Sequence, residues 1–137
     1  MSSEVGSNTP SALRNILLVD DEPSVLFALK LLMEAVGYRV KDFCSAADAL
    51  AYLKDDSESE LFICDLRMPK MNGLAVLQEA KRLKPELPFV LMSAHANSEE
   101  QERARALGGE GFLAKPFMPD QLHEMVRSIA EKRTARA

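Results

Sequence analysis

In this 137-residue chain, acids, a hydroxyl and a lysine stand directly after short apolar runs. Asp20-Asp21, with Glu22 next, follow NILLV; Asp65 ends LFICD; Ser93 follows PFVLM; Lys115-Pro116 follow GFLA. If those runs are neighbouring strands, several carboxylates, one hydroxyl and one ammonium share a single rim. Clustered carboxylates repel, and each needs a partner. A hard divalent cation relieves that repulsion, since Mg2+ takes oxygen ligands and binds through one or two carboxylates plus a phosphate. A carboxylate can also attack phosphorus to form an aspartyl phosphate. A metal and a lysine would then neutralise the oxygens of the group in transfer.

The elements that must position these residues follow from periodicity. The apolar runs are continuous, as in strands buried on both faces. Over 23–36, Val25, Leu29, Leu32, Met33 and Val36 fall at helical spacing, and Gly37 suits the position just past the helix. Residues 38–43 read as a second strand. Ser45-Ala46-Ala47-Asp48 reads as a capping box opening a helix to about Lys54. Residues 55–60 are a polar connector. Asn72-Gly73 is a turn signal before a helix over 74–83, stopped by Pro85. Ser98-Glu99-Glu100-Gln101 reads as another capping box, with its helix running to Leu107 before Gly108-Gly109. Pro119 suits the first turn of a last helix reaching about Arg133. Five strands alternating with five helices predict an α/β fold with a parallel sheet and helices on both faces. Ligand sites in such sheets lie at the carboxyl ends of the strands, which is where the acids, the serine and the lysine stand.

Composition bounds the rest. The length predicts one domain, with 1–12 a flexible leader, 13–131 the domain and 132–137 a flexible tail or the start of a linker. A hydrophobic fraction of 47% and a charged fraction of 28% exclude a largely disordered chain. No uncharged apolar run reaches the ~18 residues of a membrane span. The polar start carries no signal-peptide pattern, so the expected location is cytoplasmic. A net charge of −4 argues against a nucleic-acid surface. Cys44 and Cys64 form no metal or redox pattern and read as reduced, buried thiols. The glycines of 108–111 lack the phosphate-loop pattern and read as a helix stop and turn.

Four segments in this order, LLVDDEP, ICDLRMPKMNG, FVLMSA and GFLAKPF, resemble the receiver domain of two-component response regulators, over about residues 14–130. The resemblance implies a flavodoxin-like (βα)5 fold, a doubly wound five-stranded parallel sheet in the order 2-1-3-4-5. It implies Asp65 as phosphoacceptor. It implies that Asp21, supported by Asp20, holds Mg2+ (or Mn2+), with Asp65 and the backbone carbonyl of Arg67 as further ligands. Lys115 is implied at the phosphoryl oxygens, Ser93 as the switch hydroxyl, Phe112 as the switch aromatic, and a cis Lys115-Pro116 bond. Simpler roles stand beside these: Asp20 and Asp21 also suit a helix N-terminus, and Phe112 also suits the core. His95 either tunes phosphoryl lifetime or is a solvated loop histidine. Arg67 is expected over the mouth of the site, and His123 in a structural or surface role.

The function implied is a phosphorylation-controlled switch. A sensor histidine kinase or histidine phosphotransfer protein supplies the phosphoryl group. The fourth helix, fifth strand and last helix then form the surface that controls a downstream protein target or output domain. Slow self-hydrolysis is expected, but no metabolic enzyme activity. The expected partners include no nucleic acid bound directly and no membrane. Gly109-Glu110-Gly111 replaces the Asp-Asp that dimerising relatives carry before the aromatic, so a monomer or weak dimer is expected. Two rivals differ in their residues. A haloacid-dehalogenase-type phosphohydrolase resembles D-x-D, whereas Arg67 stands two places after Asp65 here. A pseudo-receiver that binds partners without phosphate usually lacks part of the acid–lysine set, and this chain has all of it.

Overall fold

The computed structural model describes residues 13–136; the leader expected over 1–12 lies outside the described residues, as does Ala137. The elements run β1 (Asn15–Val19), α1 (Pro23–Ala35), β2 (Arg39–Phe43), α2 (Ala46–Asp55), β3 (Leu61–Asp65), α3 (Gly73–Leu83), β4 (Phe89–Ser93), α4 (Ser98–Ala106), β5 (Gly111–Ala114) and α5 (Pro119–Arg136). The five strands pair in parallel in the order β2-β1-β3-β4-β5.

Strand alternation divides the core in two. Ile16, Leu18, Leu61, Ile63, Val90 and Met92 face α1 and α5, where they meet Leu26, Met33, Leu122, Val126 and Ile129. Their neighbours Leu17, Val19, Phe62, Cys64, Phe89 and Leu91 face the other helices and meet Leu50, Leu53, Val76, Leu77 and Ala104. The three central strands therefore bury both faces, which is why they read as unbroken apolar runs. Each fully buried leucine or isoleucine contributes about 1.5–3 kcal/mol. Against that background, a buried Asp20 or Asp65 at a strand end is a cost that needs a compensating partner.

Gly37 follows the end of α1 with φ of 105°, a conformation that disfavours a side chain. Tyr38 is buried just before the edge strand β2, and its hydroxyl lies 2.7 Å from His123 Nδ1 on α5. His123, itself exposed, thus meets the end of the Tyr38 side chain.

Three local expectations are corrected. The cap of α4 is Asn97, one residue before Ser98. Asn97 Oδ1 accepts the Glu100 backbone N–H at 2.7 Å, and Glu100 Oε1 accepts the Asn97 N–H at 3.2 Å. A cap at Asn97 puts a glutamate at the third helical position, where it closes the box; Ser98 would put Gln101 there. Helix α5 continues to Arg136, past the limit of about Arg133 and into the stretch read as a tail, because 131–136 contains no glycine or proline to stop it. Cys44 is exposed, since it follows the edge strand at the open rim, while Cys64 is buried as expected.

Candidate functional site

The carboxyl ends of β1, β3, β4 and β5 converge on one rim. Asp20 follows β1, where its backbone N–H is drawn to the Phe43 carbonyl of β2 at 3.3 Å. Its side chain is 1% exposed. One carboxylate oxygen accepts the Glu22 N–H at 3.0 Å, and the other accepts Lys115 Nζ at 2.8 Å. Lys115 also pairs with Asp65 Oδ1 at 3.2 Å. Its ammonium thus bridges the ends of β1 and β3 from the loop after β5. The Lys115–Pro116 peptide bond in that loop is cis.

Asp21 completes the acidic cluster: oxygens of Asp20, Asp21 and Asp65 lie within 4.8 Å of one another. Three carboxylates facing one ammonium leave an excess of negative charge. Burial raises the Asp65 carboxyl above its ordinary value and the Asp20 and Asp21 charges add to that, outweighing the pull of Lys115. Burial works against the charge of Lys115, but its bonds to Asp20 and Asp65 more than offset this and raise it. The donor set is all hard oxygen, clustered and under-neutralised, which fits Mg2+ or Mn2+.

Close packing fixes the Asp65 end of β3. Gly73 opens α3 directly against it, and a Cβ there would sit 2.6 Å from the Asp65 carbonyl oxygen. The Gly73 N–H donates to Leu66 at 2.8 Å, closing the intervening loop. Arg67 lies within this loop. Its guanidinium donates to both oxygens of Glu100, at 2.6 and 2.7 Å, and to the His95 carbonyl at 3.1 Å. It therefore spans the mouth toward α4 instead of standing free in solvent.

Ser93 ends β4 and is 3% exposed. Its hydroxyl donates to the His95 carbonyl at 2.8 Å and accepts the His95 N–H at 3.1 Å, so it is engaged by its own loop rather than by the acids. Phe112 is half-buried beside the cluster of Leu77, Leu91 and Ala104. With Arg67, Ser93, Ala96 and Ala114 it lines a cleft of about 700 Å3. The His95 side chain is exposed; the backbone of this residue makes the contacts. The structure thus brings Asp20, Asp21, Asp65 and Lys115 together, and sets Ser93 and Phe112 in the cleft that Arg67 also lines. Sequence reading does not single out Glu100, because a box opened at Ser98 is closed by Gln101 and nothing in the spacing pairs Glu100 with Arg67.

The family model of the response regulator receiver domain matches residues 16–127. The C4-dicarboxylate transport transcriptional regulatory protein DctD of Rhizobium meliloti is 37% identical over 123 residues, which is 90% of this chain and 26% of that protein. The transcriptional regulatory protein ZraR of Salmonella typhimurium is 36% identical over 87% of this chain and 27% of its own length. A receiver domain protein (CheY-like) from Methanospirillum hungatei superposes with a TM-score of 0.82 at 25% identity, covering 92% of this chain and all of that one. The chain thus spans about a quarter of the length of these two curated relatives.

These relatives correct the partner expectation. A chain with no nucleic acid among its partners does not fit relatives that are transcriptional regulatory proteins. Net charge is a poor guide to partners here for a physical reason. A net charge of −4 describes these 137 residues alone and carries no information on what a whole regulator binds. Among the described residues no helix is long and apolar enough to cross a membrane. With the motifs, the strand order and the match over 16–127 in agreement, the chain belongs to the response regulator receiver domain family of two-component systems.

Proposed function

We propose that this chain is a phosphorylation-controlled switch with Asp65 as its acceptor, charged by a phosphohistidine of a sensor kinase or phosphotransfer protein. The observation that carries the reading is Lys115, whose ammonium joins Asp20 at 2.8 Å to Asp65 at 3.2 Å at the rim of the sheet. In the transfer, an Asp65 carboxylate oxygen attacks phosphorus. The new O–P bond forms as the donor P–N bond breaks, and the electron pair returns to the donor imidazole. Lys115 stays charged and faces the oxygens of the incoming group. Asp20, Asp21, Asp65 and the Arg67 backbone carbonyl would hold Mg2+ or Mn2+, which neutralises phosphoryl charge when bound.

The acyl phosphate then offers charged acceptors in place of the His95 carbonyl that Ser93 uses at rest. Ser93 leaves His95 and donates to the phosphoryl group, and Phe112 moves into the cleft beside it. The change reaches α4, β5 and α5, the surface through which the output is controlled. Arg67 and His95, at the mouth, set how long the phosphoryl group survives. The reading carries with it a cytoplasmic location.

The test is labelling by a small-molecule phosphodonor followed by intact mass. One phosphoryl group per chain is expected with Mg2+, and none in chelator. Asp21→Ala is expected to need far more metal for the same labelling. Undiminished labelling in chelator contradicts the reading.

A further inference from the structure

We propose that Arg67 and Glu100 form a latch that holds the Ser93 loop at rest, making both positioning residues for the switch. The inference rests on the reading of Asp65 as acceptor and Ser93 as the group that turns toward it.

The contacts form one connected chain. Arg67 lies two residues beyond Asp65, in the loop after β3. Its two terminal nitrogens grip Glu100 at 2.6 and 2.7 Å, and one of them also reaches the His95 carbonyl at 3.1 Å. That same carbonyl accepts the Ser93 hydroxyl at 2.8 Å. Glu100 in turn closes the Asn97 cap at the start of α4. The segment from Ser93 to Glu100 is therefore pinned by one guanidinium at its middle and at its far end.

A carbonyl oxygen has two lone pairs, and both of His95's are used. For Ser93 Oγ to donate elsewhere it must give up this carbonyl. Any turn of the loop that carries the serine also draws the carbonyl away from Arg67. Two-pronged arginine–carboxylate pairs are among the stronger charge-assisted bonds. This one is exposed enough, with the Arg67 side chain 54% accessible, to be broken and remade. It sits across the mouth of the cleft of about 700 Å3 that Phe112 lines. An arginine held this way biases the loop without touching the reacting atoms.

Linkage makes the latch measurable. What holds the resting loop must weaken any ligand that favours the turned loop, and by the same factor. The probe is beryllofluoride, a phosphoryl mimic, titrated in Mg2+ and followed by NMR shifts on β5. Arg67→Ala and Glu100→Gln should each bind it about 3- to 10-fold tighter than wild type. The double variant should bind no tighter than the stronger single. Glu100→Gln keeps an acceptor for the Asn97 cap. Glu102→Gln, a nearby charge on α4 paired with Arg105, should keep wild-type affinity.

The two singles separate the latch from simple electrostatics. Arg67→Ala removes positive charge near an anionic ligand, and Glu100→Gln removes negative charge. A field effect moves their affinities in opposite directions, whereas the latch moves both the same way. Opposite signs, or wild-type affinity in both, overturn the latch while leaving the acceptor reading intact. Failure of wild type itself to take up the mimic overturns the acceptor reading, and the latch falls with it.

Discussion

Lys115 Nζ stands closer to Asp20, at 2.8 Å, than to the acceptor candidate Asp65, at 3.2 Å, across a sequence separation of 95 residues. Asp20 is almost fully buried and depends on this ammonium. Removing one partner of a buried pair strands the other charge. Lys115→Ala is therefore expected to destabilise the fold by about 2–3 kcal/mol in chelator, below the limit for a fully buried pair because the mouth is open. Mg2+ should restore part of that loss by supplying another cation. Urea denaturation with and without Mg2+ checks both. Because the folded state raises the Lys115 value, its contribution is complete below the unfolded value near 10.4 and is lost as pH rises through the folded one.

Asp65 behaves in the opposite sense. The fold raises its carboxyl, chiefly by burial, so its charge costs stability. That cost is absent below the unfolded value near pH 4, grows as pH rises through the folded value, and is complete above it. Asp65→Asn should therefore be more stable than wild type by about 0.5–2 kcal/mol at neutral pH without metal, as for other relieved functional-site strain. The advantage should vanish near pH 3. Denaturation midpoints across pH measure the gap; a variant less stable than wild type at pH 7 contradicts the assignment of strain to this charge.

The approach of Gly73 to Asp65 gives a prediction independent of charge. A Cβ at 73 would meet the Asp65 carbonyl at 2.6 Å and the Leu66 Cα at 2.8 Å, both backbone atoms that cannot swing aside. Gly73→Ala should cost about 1–3 kcal/mol, as overpacking does, and should slow phosphoryl uptake by shifting the Asp65 loop. Wild-type stability with wild-type uptake would show that the loop is free to adjust.

The sequence made much of this legible, and physics explains where it stopped. β1, β3 and β5 were read to the residue because continuous apolar runs ended by a polar group have little ambiguity. The rim followed from the same ends: Asp20, Asp65, Ser93 and Lys115 each terminate a run. Helix ends were harder, because neighbouring Asn97 and Ser98 are both good caps and only the partner at the third position decides between them. Cross-loop pairs were not legible at all. Nothing in the spacing of Arg67 and Glu100 says that they meet, and Lys115 gave no sign of favouring Asp20. The partner reading erred for another reason, since it drew on the charge of the receiver region and the relatives are larger proteins.

Ser93→Ala tests how a local event spreads. Moving a two-state equilibrium from 1:99 to 99:1 takes about 5.5 kcal/mol, and one hydrogen bond to a charged group supplies only ~1.5–3. Lys115, metal and backbone contacts must supply the remainder. The variant should accept a phosphoryl group yet shift β5 and α4 only partly, as read by NMR with a stable mimic. A full wild-type set of shifts would remove Ser93 from the coupling to Phe112.

The central claim is that Asp65 carries the phosphoryl group, and chemical trapping addresses it most directly. Borohydride reduces an aspartyl phosphate to homoserine, which peptide mass spectrometry locates by residue. After labelling with a small-molecule phosphodonor in Mg2+, homoserine is expected at position 65 and nowhere else, and in no peptide of Asp65→Asn. Homoserine at Asp20 or Asp21, or undiminished labelling of Asp65→Asn, would contradict the account.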